Sequence, residues 1–198
     1  MSTWTTLKGE IRAEIEEAAA SVFTDAQLLS WFNQGQQDWC RRTNILSAEE
    51  YRSTVANQET YTLPDYTTDI TSVWYKEYAL SRVKYADIAT LTDTGTPYAY
   101  AMHDDALHIF PIPDVAATLT LLRTYDPDPI VSGSDTTLFD TADEGAIKAF
   151  VKANCNEQIG DFTAATYFRT YYENMLRERI WSKTTIEDIG CNEAGAVW

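Results

Sequence analysis

The stretch of sequence that decides the fold, from Gly95 to Tyr125, reads GTPYAYAMHDDALHIFPIPDVAATLTLLRTY. Residues 98–103 and 107–110 are two short runs of strand-forming side chains on either side of the polar turn Asp104-Asp105-Ala106. This pattern is typical of a β-hairpin, because aromatic and β-branched residues favour strands while aspartate favours turns. We therefore predict that the two runs pair as antiparallel strands.

Two prolines end the second strand of this hairpin. Pro111 and Pro113 have no backbone donor for a β-ladder, so the strand stops there. A longer strand-forming run follows at residues 117–125. The whole stretch predicts an antiparallel meander of three strands. Because it contains no group placed for catalysis, it favours a structural building block over an enzyme.

Helical patterns precede this stretch. Apolar residues recur every fourth position between residues 6 and 20, which predicts a first helix. Thr24 and Gln27 have the spacing of a capping box and predict the start of a second helix that ends near Thr43. Glycine in a helix costs about 1 kcal/mol relative to alanine. We therefore expect that Gly35, inside the second helix, packs closely against another helix.

Further elements surround the meander. Residues 59–64, 69–75 and 78–83 are rich in strand formers, and a short helix is predicted at residues 85–91. The following loop, residues 126–140, is rich in Pro, Gly, Ser and Asp and marks the end of this β-rich part.

Two helices are predicted after the loop. The first begins at Thr141, with Glu144 at the capping-box position, and extends to Gly160. The second extends from about residue 162 to residue 182. Because glycine is the usual residue at a helix C-terminus, Gly160 separates the two helices, which we expect to fold back as an antiparallel hairpin.

These patterns together predict an α+β fold. Residues 1–57 and 131–183 are expected to form an antiparallel helical bundle, and residues 58–130 a small antiparallel β domain inserted into it. Residues 184–198 lose the helical periodicity and are expected to form an extended C-terminal tail. In this tail Ile186, Ile189, Val197 and Trp198 are candidate anchors that become ordered on a partner. The alternative is a frayed end that packs loosely on its own subunit.

The charge of the chain limits its partners. Thirty acids and fifteen bases give a net charge of −15, and residues 44–140 contain fifteen acids and only five bases. Nucleic-acid binders need a basic patch to neutralise phosphates, so this part is not expected to grip DNA. An acidic surface would suit a channel through which DNA slides without binding. Acidic charge also keeps a protein soluble until its partner is present, and this explanation stays open.

Neither a membrane span nor a secretion signal is expected. No run approaches the roughly 18 apolar residues of a transmembrane helix, and the start, MSTWTTLKGE, lacks an apolar core. Cys40, Cys155 and Cys191 are widely spaced and form no CxxC pair, so reduced thiols are expected. The chain is predicted to work in the compartment that makes it.

One cluster has the residue types of a metal or acid/base site. His103, Asp104, Asp105, His108 and Asp114 lie close together in the sequence and could serve a metal-dependent hydrolase. A polar hairpin tip explains them more simply, and the chain contains no HExxH, GxGxxG, GxxxxGK[ST] or GxSxG motif. We therefore expect no enzyme activity, no metal and no cofactor.

A further alternative is a binding module. Six tryptophans and twelve tyrosines are a heavy aromatic load, and aromatic side chains are favoured at interfaces as well as in cores. Exposed Trp74, Tyr75, Tyr98 and Tyr100 would form a stacking platform on a β module for a carbohydrate or another ligand, carried on a helical stalk.

The order of these segments resembles a known family. The pattern G-x-P-x-x-Y…L-x-[IL]-x-P-x-P-D is matched by Gly95, Pro97, Tyr100, Leu107, Ile109, Pro111, Pro113 and Asp114. With the preceding LLSWFNQGQQDWCRRT and ETYTLPDYTTDITSVWY and the later helical pair, residues 20–182 resemble the head-to-tail adaptor (connector, or head completion) proteins of tailed bacteriophages.

This resemblance implies a structural virion protein without catalytic residues. Adaptors form a ring, commonly of twelve copies, beneath the portal protein, where they extend the DNA channel and offer a platform to the tail or the next neck protein. The partners implied are the portal, the distal neck or tail protein and further copies of this chain, in the virion neck and, during assembly, in the host cytoplasm. By analogy, the tail residues Ile186 to Trp198 would dock on the portal. The tail-side surface of the β domain would include Trp74, Tyr75, His103, Asp104 and Asp105.

Overall fold

The fold was described from a computed structural model, which covers the backbone of residues 1–16 and 22–192 and the side chains of residues 1–16 and 22–183. The helices are α1 (Trp4–Glu14), α2 (Asp25–Thr43), α3 (Tyr85–Ile88), α4 (Thr141–Ile159) and α5 (Phe162–Asn192). The strands are β1 (Ser47–Ser53), β2 (Thr60–Thr62), β3 (Thr67–Tyr75), β4 (Tyr78–Ala79), β5 (Ser81–Arg82), β6 (Thr94–Gly95), β7 (Ala99–His103), β8 (Ala106–Phe110), β9 (Ile112–Pro113) and β10 (Thr118–Tyr125).

The chain divides into two compact units. Met1–Thr43 and the chain from Pro127 onward form a helical unit, and Asn44–Asp126 form a β unit. Residues 44–57, predicted to belong to the helical bundle, lie in the β unit, where residues 47–53 form β1. These residues alternate between exposed and half-buried, as in a strand with one solvent face, but the sequence SAEEYRS has no apolar alternation that would predict it.

Capping determines where α2 begins. The backbone N–H of Gln27 donates to Thr24 Oγ1 at 3.2 Å, and the Gln27 side chain accepts from the Thr24 backbone N–H at 2.9 Å. This is the predicted capping box, in which two donors at the helix start are satisfied reciprocally. The predicted C-terminus at Thr43 is also confirmed.

Three of the other predicted helix ends were wrong. The first helix ends at Glu14, well before residue 20, because the backbone turns at Glu16 with a φ of 57°. The N-cap of α4 is Asp140, whose carboxylate accepts from the Asp143 N–H at 2.9 Å, and Thr141 is already helical. The backbone of residues 184–192 continues α5, although an extended tail was predicted there. That segment contains no proline, and extending an existing helix gains one hydrogen bond per residue.

The helical unit is organised around α4. Helix α4 packs against both α2 and α5. Gly160, with a left-handed φ of 84°, ends α4 as predicted. The ion pair Glu157–Arg169 and the ring contact Phe150–Tyr172 lie successively farther from this turn, so α4 and α5 are antiparallel. The core of the unit includes fully buried side chains from α1, α2 and α4: Leu7, Ile11, Leu28, Phe32, Trp39, Ile147 and Val151.

The β unit contains two four-stranded sheets that share one core. Their strand orders are β1-β10-β3-β4 and β2-β8-β7-β5, and β6 and β9 form a separate parallel pair. Every second residue of a strand faces the same side. The shared core takes inward-facing residues from strands of both sheets, and a register shift in β3 places both Ile70 and Val73 inward. These core residues are Tyr61, Ile70, Val73, Tyr75, Leu107, Ile109, Leu119 and Leu121.

The predicted hairpin is confirmed, but the predicted meander is wrong. Strands β7 and β8 pair antiparallel, with His103 opposite Ala106, so the loop consists of Asp104 and Asp105 alone. Both aspartates have positive φ values, 48° and 55°, as in a type I′ turn. Strand β10 lies in the other sheet, between β1 and β3. Residues 111–117 lead the chain from one sheet to the other. The prolines in this segment predict the end of a strand but not the sheet that the next strand joins.

Candidate assembly surfaces

Among the predicted sites whose side chains are described, the tip of the β7–β8 hairpin is the most exposed. The Asp104 side chain is 87% exposed, and its carboxylate lies 3.3 Å from Nε2 of His103. The His103 ring stacks on Tyr85 of α3, with the ring centroids 4.1 Å apart. Because this stacking fixes the base of the tip, Asp104 and Asp105 form a firmly held acidic projection.

Trp74 and Tyr75 were also predicted for the tail-side surface, but only Trp74 is accessible. Tyr75 is fully buried, and its hydroxyl donates to the Val115 carbonyl at 3.1 Å. Trp74 faces the opposite side of the same strand and is half-buried. It lies in the sheet β1-β10-β3-β4, whereas His103 belongs to the other sheet. The predicted surface is therefore reduced to His103, Asp104 and Asp105, with Trp74 on a separate sheet.

The aromatic stacking platform is not formed. Tyr75 and Tyr100 are buried, with exposed fractions of 0% and 2%. Tyr98 is exposed and contacts Phe110 edge to face at 5.8 Å between ring centroids. Because two of the four aromatics lie in the core, the four side chains offer no common surface to a sugar ring.

The two histidines come together without a metal-binding set. Their ring centroids are 6.3 Å apart, since the two-residue turn places them diagonally on one face of the hairpin. His108 Nδ1 lies 3.2 Å from both Thr60 Oγ1 and Glu59 Oε1. Within the part of the chain that the structure describes, no group of three or more His, Cys, Asp or Glu side chains could hold a metal ion.

The predicted docking tail is only partly described. Ile186 and Ile189 lie on the backbone of α5. Val197 and Trp198 lie outside the described residues.

Helix α5 carries an exposed aromatic face that is not among the predicted sites. Tyr167, Tyr171 and Trp181 are 65%, 43% and 75% exposed. At 100° per residue they fall on one side of the helix, away from the buried Tyr172 and Leu176. The sequence could have indicated this face, because α5 has more large apolar residues than one buried side of a helix can accommodate.

A shallow groove lies beside this face. It has a volume of about 280 Å³ and is lined by residues that include Phe162, Arg169, Thr170, Glu173 and Arg177. Its acidic wall is held by Arg42 of α2, which donates to Glu173 with two hydrogen bonds of 2.7 and 2.8 Å. These bonds keep the pKa of Glu173 below its usual value.

Hydrogen bonds to the carboxylate of Glu144 connect distant parts of the helical unit. The backbone N–H and the hydroxyl of Ser2 each donate to Glu144 at 2.8 Å, and the Thr137 hydroxyl also donates to this carboxylate. Burial alone would raise the pKa of Glu144, but these hydrogen bonds hold it below its usual value. Glu144 therefore ties the start of the chain to α4, a role that differs from the predicted capping.

Comparison with known proteins gives the family. The model of the SU10 adaptor protein family matches residues 2–189. The chain therefore belongs to this family of phage head-to-tail adaptors, and its role is that of a structural adaptor in the neck of the virion. A search of curated proteins found no match. The predicted resemblance is thereby confirmed.

No helix within the described residues is both long enough and apolar enough to cross a bilayer.

Proposed function

We propose that copies of this chain assemble as a ring of about twelve subunits beneath the portal, extend the DNA channel and offer a docking platform to the next neck or tail protein. The observation that carries this proposal is the family match over residues 2–189. A ring built from heterologous contacts needs two different surfaces on each subunit. The exposed aromatic face of α5, formed by Tyr167, Tyr171 and Trp181, is a candidate for one of them.

The charge distribution supports passage of DNA without binding. The chain has a net charge of −15, and residues 44–140 contain fifteen acids and five bases. Phosphates are repelled by such a surface, so a lumen lined by it releases DNA during ejection.

The C-terminal segment is proposed to contact the portal. Ile186 and Ile189 would supply apolar anchors from the end of α5, together with Val197 and Trp198 farther along. The hairpin tip of His103, Asp104 and Asp105 would face the distal partner, with Trp74 on the neighbouring sheet. Weak contacts of this kind become sufficient when the portal presents many sites at once. The isolated chain is therefore expected to be a monomer that forms a ring on the portal, in the host cytoplasm.

A deletion in the virus tests the role as a whole. Particles assembled without this chain should contain packaged heads that lack tails, and expression of the chain in trans should restore tailed particles. Normal tailed particles in its absence would refute the proposal.

A finer test addresses the portal-binding segment. Ile186→Ala combined with Ile189→Ala should weaken binding to the purified portal, because two buried apolar anchors contribute about 1.5–3 kcal/mol each. Thr184→Ala with Thr185→Ala is the matched control on the same helix. Equal binding by both variants would exclude Ile186 and Ile189 as anchors while leaving the adaptor role intact.

A further inference from the structure

Strand β1 forms one edge of the sheet β1-β10-β3-β4. It pairs with β10 over seven residues, from Ser47 opposite Thr124 to Ser53 opposite Thr118, without a register shift. The backbone hydrogen bonds at the two ends of this pairing join Tyr125 N–H to Leu46 and Thr54 N–H to Ala117. In an antiparallel pair, hydrogen bonding alternates along the strand.

This alternation determines which backbone groups point away from the sheet. Even-numbered residues of β1 bond to β10, so the N–H and C=O groups of Ser47, Glu49, Tyr51 and Ser53 point outward. All four residues are exposed. Among the described residues, no backbone partner is found for these outward groups. The edge therefore presents a row of donors and acceptors without a backbone partner, about 20 Å long.

Most features that protect an edge strand are missing here. Proteins usually shield an edge by proline, by a bulge, by a very short strand or by inward-pointing charges. The sequence of β1, SAEEYRS, contains no proline, and the strand has no bulge. Its inward-pointing charges are held in ion pairs, with Glu50 at 2.7 Å from Arg52 and at 3.3 Å from Arg123. An edge of this length and regularity is a template for an added strand.

The charge of the edge indicates what kind of strand it would accept. Arg52 and Arg123 are engaged with Glu50, whereas Glu49 is exposed. Across the β unit, residues 44–126 contain twelve acids and five bases. A segment rich in Lys or Arg would be attracted to this edge, and an acidic one repelled.

We propose that β1 is completed in the assembled neck by an extended, cationic segment of a neighbouring virion protein, which adds a fifth strand to this sheet. The added strand bonds to the outward groups of residues 47, 49, 51 and 53, and its Lys or Arg side chains lie beside Glu49. This inference rests on the proposed adaptor function, because it requires a neighbouring structural protein.

Hydrogen exchange of the isolated protein and of assembled particles tests the proposal. In the isolated chain, the amides of residues 49, 51 and 53 should exchange rapidly, while those of residues 48, 50 and 52 are slow. In particles, the peptide covering residues 47–53 should exchange at least about tenfold more slowly at the outward amides. Unchanged exchange in particles that contain the chain would overturn the inference and leave the adaptor function standing. Absence of the chain from particles would instead refute that function.

Substitutions at Tyr51 separate the contribution of its backbone N–H to partner binding from that of its side chain. Tyr51→Pro removes one outward donor without removing a bond to β10, and edge strands tolerate proline at such positions. It should lower incorporation into particles at least about tenfold relative to Tyr51→Val, which keeps the donor. Equal incorporation of these two variants would overturn the proposal. If Tyr51→Pro does not fold, the exchange measurement on the wild-type chain decides.

The class of partner is tested by charge and by mass. Glu49→Lys should reduce incorporation relative to Glu49→Gln, and equal behaviour would exclude a cationic segment. Slow exchange of the outward amides in the isolated protein, together with a doubled mass by light scattering, would show that the occupant is a second copy and overturn the proposal.

Discussion

Close packing at Gly35 gives the sharpest prediction about the helical unit. A Cβ atom at this position of α2 would lie 3.0 Å from Phe150 Cδ1 and 3.2 Å from Ile147 Cγ2 of α4. Ordinary van der Waals contact begins at about 3.4 Å. Gly35 therefore allows α2 and α4 to approach more closely than any larger residue would.

The expected effect combines two opposing contributions. Alanine in place of glycine stabilises a helix by about 1 kcal/mol. At Gly35 the new methyl group must displace Phe150 and Ile147, and overpacking of a core costs about 1–3 kcal/mol. Gly35→Ala should therefore lower the free energy of unfolding by up to about 2 kcal/mol, and Gly35→Leu by more. Each kcal/mol corresponds to about 2–4 °C in Tm for a chain of this size.

Gly9 in α1 provides the matched control. No described atom lies within 4 Å of a Cβ at Gly9, so the new methyl group of Gly9→Ala meets no clash. This variant should therefore gain the full helix-propensity advantage of alanine, about 1 kcal/mol. Urea unfolding followed by circular dichroism measures the stability of all three variants. A Gly35→Ala variant stabilised as much as Gly9→Ala would refute the close-packing argument.

Three further predictions concern single side chains. Asp105→Gly should raise the free energy of unfolding by about 0.5–1 kcal/mol, since Asp105 has a φ of 55° that glycine adopts without strain; an unchanged or lower Tm would contradict the type I′ turn. Tyr75→Phe should cost about 1 kcal/mol by removing the hydrogen bond to Val115, whereas Tyr78→Phe, at a residue 65% exposed, should cost almost nothing in the same urea titration. Glu144 has a lowered pKa in the folded state, so its contribution is complete above the unfolded-state pKa of about 4.3 and is lost as the pH falls through the folded value. Glu144→Gln should therefore flatten the acid dependence of stability below about pH 5, and an unchanged dependence would exclude this role.

Local patterns predicted the elements better than they predicted the arrangement of those elements. The capping box at Thr24 and the stop at Gly160 follow from hydrogen bonds within a few residues, and both are present. The position of β10 depends on which sheet offers a partner, and no local pattern in residues 111–117 contains that information. The helix over residues 184–192 shows that loss of apolar periodicity does not end a helix unless a proline or a cap intervenes.

The candidate surfaces were predictable only where exposure follows from the turn type. Asp104 and Asp105 are exposed because they form the entire two-residue loop, which projects beyond the paired strands. Tyr75 was assigned to the surface because aromatic residues suit both cores and interfaces. Its neighbour Trp74 shows that only the register of the strand decides which of two adjacent aromatics is buried.

The most direct test of the adaptor account is the mass of the purified chain, measured by light scattering, alone and after mixing with the portal protein of the same phage. We predict a monomer in isolation and, with the portal, one complex that carries a stoichiometric ring of this chain. A mixture in which the two proteins keep their separate masses would contradict the account.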